Sequence, residues 1–259
     1  MGTILLLYGT VAYAVFFVTF LYAIGFVGCV GVPKCVATGP AGPLGPALLV
    51  DALLLGAFAV QHSVMARRWF KRWWTKIVPP AAERSTYVLI ASLLLDFLFW
   101  QWRPLQGTVW QVNGAAGRGV FWVVFVLGWV ILLSGTFMID HFDLFGLRQA
   151  WLRFRNRPYT HPPFRMTAFY RYTRNPLMLG FIIAFWAAPT MTVSRLLFAV
   201  AATGYILVGV MLEERDHAFY LGDAYRRYKE RTPMLLPRLV PHPTGAFEGG
   251  APAGDGSHA

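Results

Sequence analysis

Charge is scarce in this chain of 259 residues, where Asp, Glu, Lys and Arg together make 14% of the whole. A soluble domain carries roughly 25%, so a water-facing globular surface cannot be covered and an ordinary soluble enzyme is excluded. Acid is scarcer still: 12 Asp and Glu face 23 Lys and Arg, for a net charge of +11. Cysteine is nearly absent. Cys29 and Cys35 allow one disulfide at most, which excludes a stapled secreted scaffold. The pair reads equally well as a bridge on an oxidising face or as two thiols. Zinc-type ligand spacing, a hydrolase nucleophile motif and a soluble cofactor domain are all lacking. Gly39, Gly42 and Gly45 follow no strand and are interrupted by proline, so they are not a phosphate cradle.

What is present is apolar length. Hydrophobic residues make 56% of the chain, and a helix crossing the hydrocarbon core needs about 20 of them in a row. Such runs fall at 4–29, 44–62, 86–102, 119–139, 177–189 and 196–212. The expected fold is an all-α integral membrane protein, a bundle of five to six transmembrane helices. The last two runs form a tight hairpin whose outbound leg need not cross fully. The first run lacks the basic start and small-residue cleavage site of a signal peptide and should remain in the mature protein. One membrane domain over 1–240 is expected, followed by a Gly-, Pro- and Ala-rich disordered tail over 241–259.

Loop charge sets the orientation. Segment 65–85 carries Arg67, Arg68, Lys71, Arg72, Lys76 and Arg84, and segment 140–176 carries Arg148, Arg153, Arg155, Arg157, Arg165, Arg171 and Arg174. The loop at 31–45 has only Lys34. Basic loops stay in the cytosol, which places both termini there and makes the positive charge a match for anionic lipid rather than nucleic acid. The lipid bilayer is the expected partner, with no obligate protein partner. In the stretch 213–231, Leu221, Tyr225 and Tyr228 recur at i, i+4 and i+7 among charged residues, which predicts an amphipathic cytosolic C-terminal helix lying on headgroups or closing a site.

Ionisable groups at the ends of spans are functional candidates. Gln61-His62-Ser63 reads first as a buried histidine bonded to a neighbouring helix. In Asp140-His141-Phe142-Asp143, an extended backbone would point His141 and Asp143 to one side, giving a histidine general base oriented by a carboxylate, with Arg148 and Gln149 supporting the pocket. A helix end satisfying its last carbonyls is the alternative. Asn175 and Pro176 predict a helix start, whose N–H groups with Arg171 and Arg174 form an anion site; lipid headgroups would serve the arginines equally. Glu213 and Glu214 need partners, and Arg174 or Arg215 suit them.

The stretch Tyr170-Arg171-Tyr172-Thr173-Arg174-Asn175-Pro176-Leu177-Met178-Leu179-Gly180, the Glu213-Glu214 pair and the run Gly222-Asp223-Ala224-Tyr225-Arg226-Arg227-Tyr228 resemble the isoprenylcysteine carboxyl methyltransferase superfamily. Residues 61–68, Trp73, 83–87 and 141–149 are similar to a bacterial branch whose inner-membrane enzymes methylate methanethiol to dimethyl sulfide. The resemblance covers about residues 50–237. It implies S-adenosylmethionine as cofactor and a small thiol as substrate, with a cytosol-facing pocket formed by Tyr170, Arg174, Asn175, Pro176, Leu179, Gly180, Glu213, Tyr225, Arg227 and Tyr228. The methionyl carboxylate would sit near Arg174. One departure stands out: where the family has histidine before the proline, this chain has Asn175, which cannot act as a comparable base. On the resemblance, His141 takes the thiol proton and Asp143 orients it. Other readings of the residues are a methyltransferase for another lipophilic thiol, amine or carboxylate, or a non-catalytic transporter or haem accessory using His62 and His141.

Overall fold

The computed structural model describes residues 1–40, 42–160 and 168–237. The tail expected over 241–259 lies outside them. Within a bilayer every backbone N–H and C=O must be satisfied by the segment itself, so apolar runs become helices. In chain order these are α1 (Gly2–Gly28), α2 (Leu44–Ala66), α3 (Arg68–Trp74), α4 (Pro80–Gln101), α5 (Ala115–Ile139), α6 (His141–Leu144), α7 (Leu147–Phe154), α8 (Pro176–Trp186) and α9 (Val193–Arg231). Four are long and apolar enough to cross a membrane: α1, α2, α5 and the Val193–Arg215 part of α9. α4 is less apolar because it carries Glu83, Arg84 and Asp96, and it packs against α1 and α2.

α8 has 11 residues and so spans about 17 Å, well under the roughly 30 Å of a hydrocarbon core. The short outbound leg anticipated for the last hairpin is present. It is seated by glycine: a Cβ on Gly180 would stand 2.7 Å from the Gly128 carbonyl oxygen, and one on Gly128 would stand 2.7 Å from the Ala184 nitrogen. The backbones of α5 and α8 therefore touch at these two residues.

One expectation needs correction. The separate helix at 213–231 is the second half of α9, a single helix of 39 residues. Met211-Leu212-Glu213-Glu214-Arg215 contains only good helix formers and no breaker, so the hydrogen-bond ladder runs on from the span. The fold also contains a two-stranded antiparallel sheet, β1 (Thr108–Gln111) with β2 (Thr190–Thr192), pairing Trp110 with Met191 and Gln111 with Thr190. Its threonines, valine and tryptophan are good strand residues, but three or four of them among spans give no readable alternation.

The helices leave two unlike ends. At one, Cys29 and Cys35 form a disulfide with Cα atoms 5.0 Å apart. Beside it, Trp102 Nε1 and Ser194 Oγ both donate to the Val36 carbonyl at 3.1 and 2.7 Å, and Arg195 donates through Nε and a terminal nitrogen to the Val27 carbonyl at 3.1 and 2.8 Å. This disulfide end also carries β1 and β2, since Val193 N–H donates to the Gly107 carbonyl at 3.0 Å. At the other, basic end, the start of α1 packs on α7, the Tyr8 hydroxyl donates to Thr86 Oγ1 at 2.9 Å, and Arg84 Nε donates to the Leu144 carbonyl at 2.7 Å.

Candidate active site at the basic end of the bundle

Three clusters of polar side chains stand at the basic end. The first surrounds His141. The chain leaves α5 at Asp140, whose φ of 130° breaks the helix, and restarts at once as the single turn α6. Of the two readings, extended segment or helix end, the chain adopts a helical turn, on which residues two apart face different ways. Asp143 consequently does not orient His141, which corrects the proposed pair. The Thr136 hydroxyl donates to the Leu133 carbonyl at 2.7 Å, so it accepts from His141 Nδ1 at 2.8 Å. Nε2 is left to accept from the Tyr13 hydroxyl at 2.8 Å. The imidazole is buried and stacks on Phe137 at 4.3 Å between centroids. Burial holds its pKa below the usual histidine value, against the pull of Asp140. Both nitrogens are engaged, so His141 has no lone pair for a thiol and none for a haem iron.

Asp143, Arg148 and Gln149 do come together, as a brace. Asp143 Oδ1 accepts from Arg148 at 3.0 Å and Oδ2 from the Tyr159 hydroxyl at 3.1 Å, while Gln149 Nε2 donates to the Asp143 carbonyl at 3.1 Å. Arg148 also donates to the Thr160 carbonyl at 2.8 Å. Burial and the Asp143 carboxylate push the Tyr159 phenol up to about 12. The brace edges a cleft of about 700 Å³ whose rim includes Lys71, Arg84, Arg153 and Arg157 against Glu83 and Asp143. That excess of positive side chains suits an anionic group better than a small apolar thiol.

The second cluster is tied around Arg174. Its Nε donates to Glu214 Oε1 at 2.7 Å, a terminal nitrogen pairs with the same oxygen at 2.7 Å, and the other reaches the Lys229 carbonyl at 2.7 Å and the Thr232 carbonyl. Lys229 Nζ holds Glu214 Oε2 at 3.2 Å. Asn175 and Pro176 begin α8 as expected, but Asn175 Nδ2 donates to the Met234 carbonyl at 3.2 Å rather than capping the helix. The Tyr228 hydroxyl donates to the Tyr170 carbonyl at 2.8 Å. Burial raises the Tyr170 and Tyr228 phenols and pushes Tyr225 up to about 12, with Glu214 adding to the last. Of the cofactor set, Tyr170, Arg174, Asn175, Tyr225 and Tyr228 thus gather in one place, with Pro176 buried and Leu179 half-buried beside them. Gly180 faces α5. The Arg227 side chain lies outside the described residues. Glu214 is the carboxylate that Arg174 holds.

The third cluster was undervalued from the sequence. His62 stands near the end of α2 with its ring 5.2 Å from Phe58, 5.1 Å from Tyr87 of α4 and 6.4 Å from Tyr205 of α9. Its backbone carbonyl accepts from the Tyr87 hydroxyl at 3.3 Å, and Ser63 Oγ lies 3.3 Å from the Tyr205 hydroxyl. Among the described residues, the expected bond from the imidazole to a neighbouring helix is not made. Nδ1 of His62 is buried without a hydrogen-bond partner, as is Oε1 of Gln61 beside it. Glu213 is exposed, and its charge reaches Tyr87, Tyr170, Tyr205 and Tyr225. The signal available beforehand was the polar triplet at a span end, but nothing in a sequence distinguishes a bonded imidazole from an unbonded one.

Membrane-length helices whose aromatic and ionisable groups converge on one end define an integral membrane helical protein with a polar site at that end. The chain belongs to the methanethiol S-methyltransferase family. It is 56% identical over 232 residues to the methanethiol S-methyltransferase of Mycobacterium tuberculosis, a match spanning 90% of this chain and 95% of that protein. It is 52% identical over 255 residues to methanethiol S-methyltransferase 2 of Bradyrhizobium diazoefficiens, spanning 93% and 97%. A weaker likeness, 30% over 178 residues and 66% of this chain, connects it to the Nurim homolog of Drosophila pseudoobscura, of which it spans 70%. No family model and no solved structure matches the chain.

Proposed function

We propose that the protein transfers a methyl group from S-adenosylmethionine to methanethiol, yielding dimethyl sulfide and S-adenosylhomocysteine, at the basic end of the bundle. The observation that carries this reading is about one-half identity, over nine-tenths of the chain, to proteins bearing that activity in their names. The basic loops orient this end to the cytosol of a bacterial inner membrane, where the cofactor is soluble and the thiol arrives through water or lipid.

The residues fit the cofactor in two respects. Phe58, His62, Tyr87 and Tyr205 present ring faces, and Glu213 adds a carboxylate, a setting that favours a sulfonium cation. Nδ1 of His62 and Oε1 of Gln61 are buried polar atoms still lacking a partner, which native structures rarely leave so. Glu213, Tyr170, Tyr225 and Tyr228 would hold the group; Arg174, already braced by Glu214, shapes the wall behind it. When bound, the cofactor supplies an electrophilic methyl carbon on sulfur. The chain's part is to align the thiol with that carbon, worth up to several kcal/mol of barrier, and to keep water out while charge is dispersed. Titrating purified protein with S-adenosylmethionine by calorimetry, then assaying headspace dimethyl sulfide after adding methanethiol, tests the reading. Binding and product are expected; binding without product would move the search to another acceptor.

A further inference from the structure

We infer that His62, not His141, takes the proton of the thiol. This rests on the proposed methyl transfer and deepens it at one residue. Everything around the His62 imidazole is fastened while the imidazole itself is not. Its own carbonyl is tied to Tyr87 of α4, the next residue Ser63 is within hydrogen-bond distance of Tyr205 of α9, and Phe58 stacks on the ring from one turn earlier at an interplanar angle of 27°. The ring is therefore oriented by packing alone. A buried nitrogen without a partner costs about 1–3 kcal/mol, a cost relieved when a donor is brought to the ring. Thiol S–H is such a donor, and its loss of a proton creates the stronger nucleophile.

The step balances. The thiol sulfur forms a bond to the methyl carbon, the sulfonium carbon–sulfur bond breaks with its electron pair remaining on the departing thioether, and the thiol proton passes to His62 and from there to water. One positive charge would disappear from the sulfonium as one appears on the imidazole, so the net charge of the site would be unchanged during transfer. The groups facing that imidazole are Arg84 and Tyr87 from α4 and Tyr205 from α9, with Glu213 and Arg67 acting on Tyr205. The Arg84 charge repels a lasting imidazolium, so the proton is passed on to water.

The test compares wild type, His62→Ala and His62→Gln for turnover at saturating methanethiol and for calorimetric affinity toward S-adenosylmethionine, across a neutral-to-alkaline pH series. Both variants should turn over about 10²–10⁴ times more slowly at neutral pH with cofactor affinity within about threefold, and the defect should shrink as alkali supplies thiolate directly. His62→Gln keeps the side-chain bulk and carries the test if the alanine variant does not fold. Near-normal turnover, a defect that does not change with pH, or a fall in affinity that accounts for the lost rate would each overturn the assignment. A wild type that binds cofactor and makes no dimethyl sulfide overturns the methyl-transfer reading itself, and this inference with it.

Discussion

Two histidines stand at the same end of the bundle under opposite conditions. His141 is clamped by Thr136 on Nδ1 and Tyr13 on Nε2, and His62 is packed among rings with Nδ1 unpartnered. The first imidazole joins α1 to α6 and has no bonding capacity left for chemistry. The second is held in place by its neighbours and keeps that capacity. The same contrast separates Arg174, which carries bonds to Glu214 and two carbonyls, from Gln61, whose Oε1 is buried without a partner. A polar group at a span end is thus functional or structural according to how many of its bonds the fold has already made, which is a property of the partners rather than of the residue.

The largest expected effect lies in the saturated region. Arg174→Ala leaves the Glu214 carboxylate buried beside one lysine, and losing one partner of such a pair costs about 3–5 kcal/mol; thermal unfolding in detergent should register it, and a second change, Glu214→Gln, should restore part of it. A neutral outcome for Arg174→Ala would break the contrast. Next comes Gly180→Ala, whose methyl would stand 2.7 Å from the Gly128 carbonyl oxygen. It should cost about 1–3 kcal/mol through overpacking, without altering the cofactor affinity of the folded fraction measured by calorimetry. His141→Gln should lower stability by about 1–3 kcal/mol by unpairing Tyr13 or Thr136, while turnover of the folded protein stays within a few-fold of wild type in the headspace assay. The smallest effect is on pH. His141 is held neutral below its ordinary value, so below about pH 6.5 the unfolded chain binds the proton that the folded one refuses. Its contribution to stability is present above that pH and is lost as pH falls through the depressed value. Melting temperatures in a pH series should therefore drop less on acidification for His141→Gln than for wild type.

The membrane-length helices were legible because hydrocarbon tolerates so few sequences: the runs at 4–29, 44–62 and 119–139 fall within a few residues of α1, α2 and α5. The α8 start at Asn175 and Pro176 was legible from their local chemistry, and Arg174 was one of two partners foreseen for the adjacent carboxylates. What escaped depends on distance along the chain. Tyr13 lies 128 residues before the His141 it engages, and Val36 lies 158 residues before Ser194. Glu214, the carboxylate that Arg174 holds, lies 40 residues further along the chain in α9. The β1–β2 pair escaped because residues so few, drawn from separate loops, leave no periodicity to read.

The most direct test of the division between the two histidines is nitrogen-15 NMR of histidine-labelled protein in lipid, with resonances assigned through His62→Gln and His141→Gln. The account predicts that His141 shows a neutral ring protonated on Nδ1, unmoved when S-adenosylhomocysteine and methanethiol are added, while the His62 resonances shift. A His141 ring that changes tautomer or charge on addition, beside an unmoved His62, would contradict it.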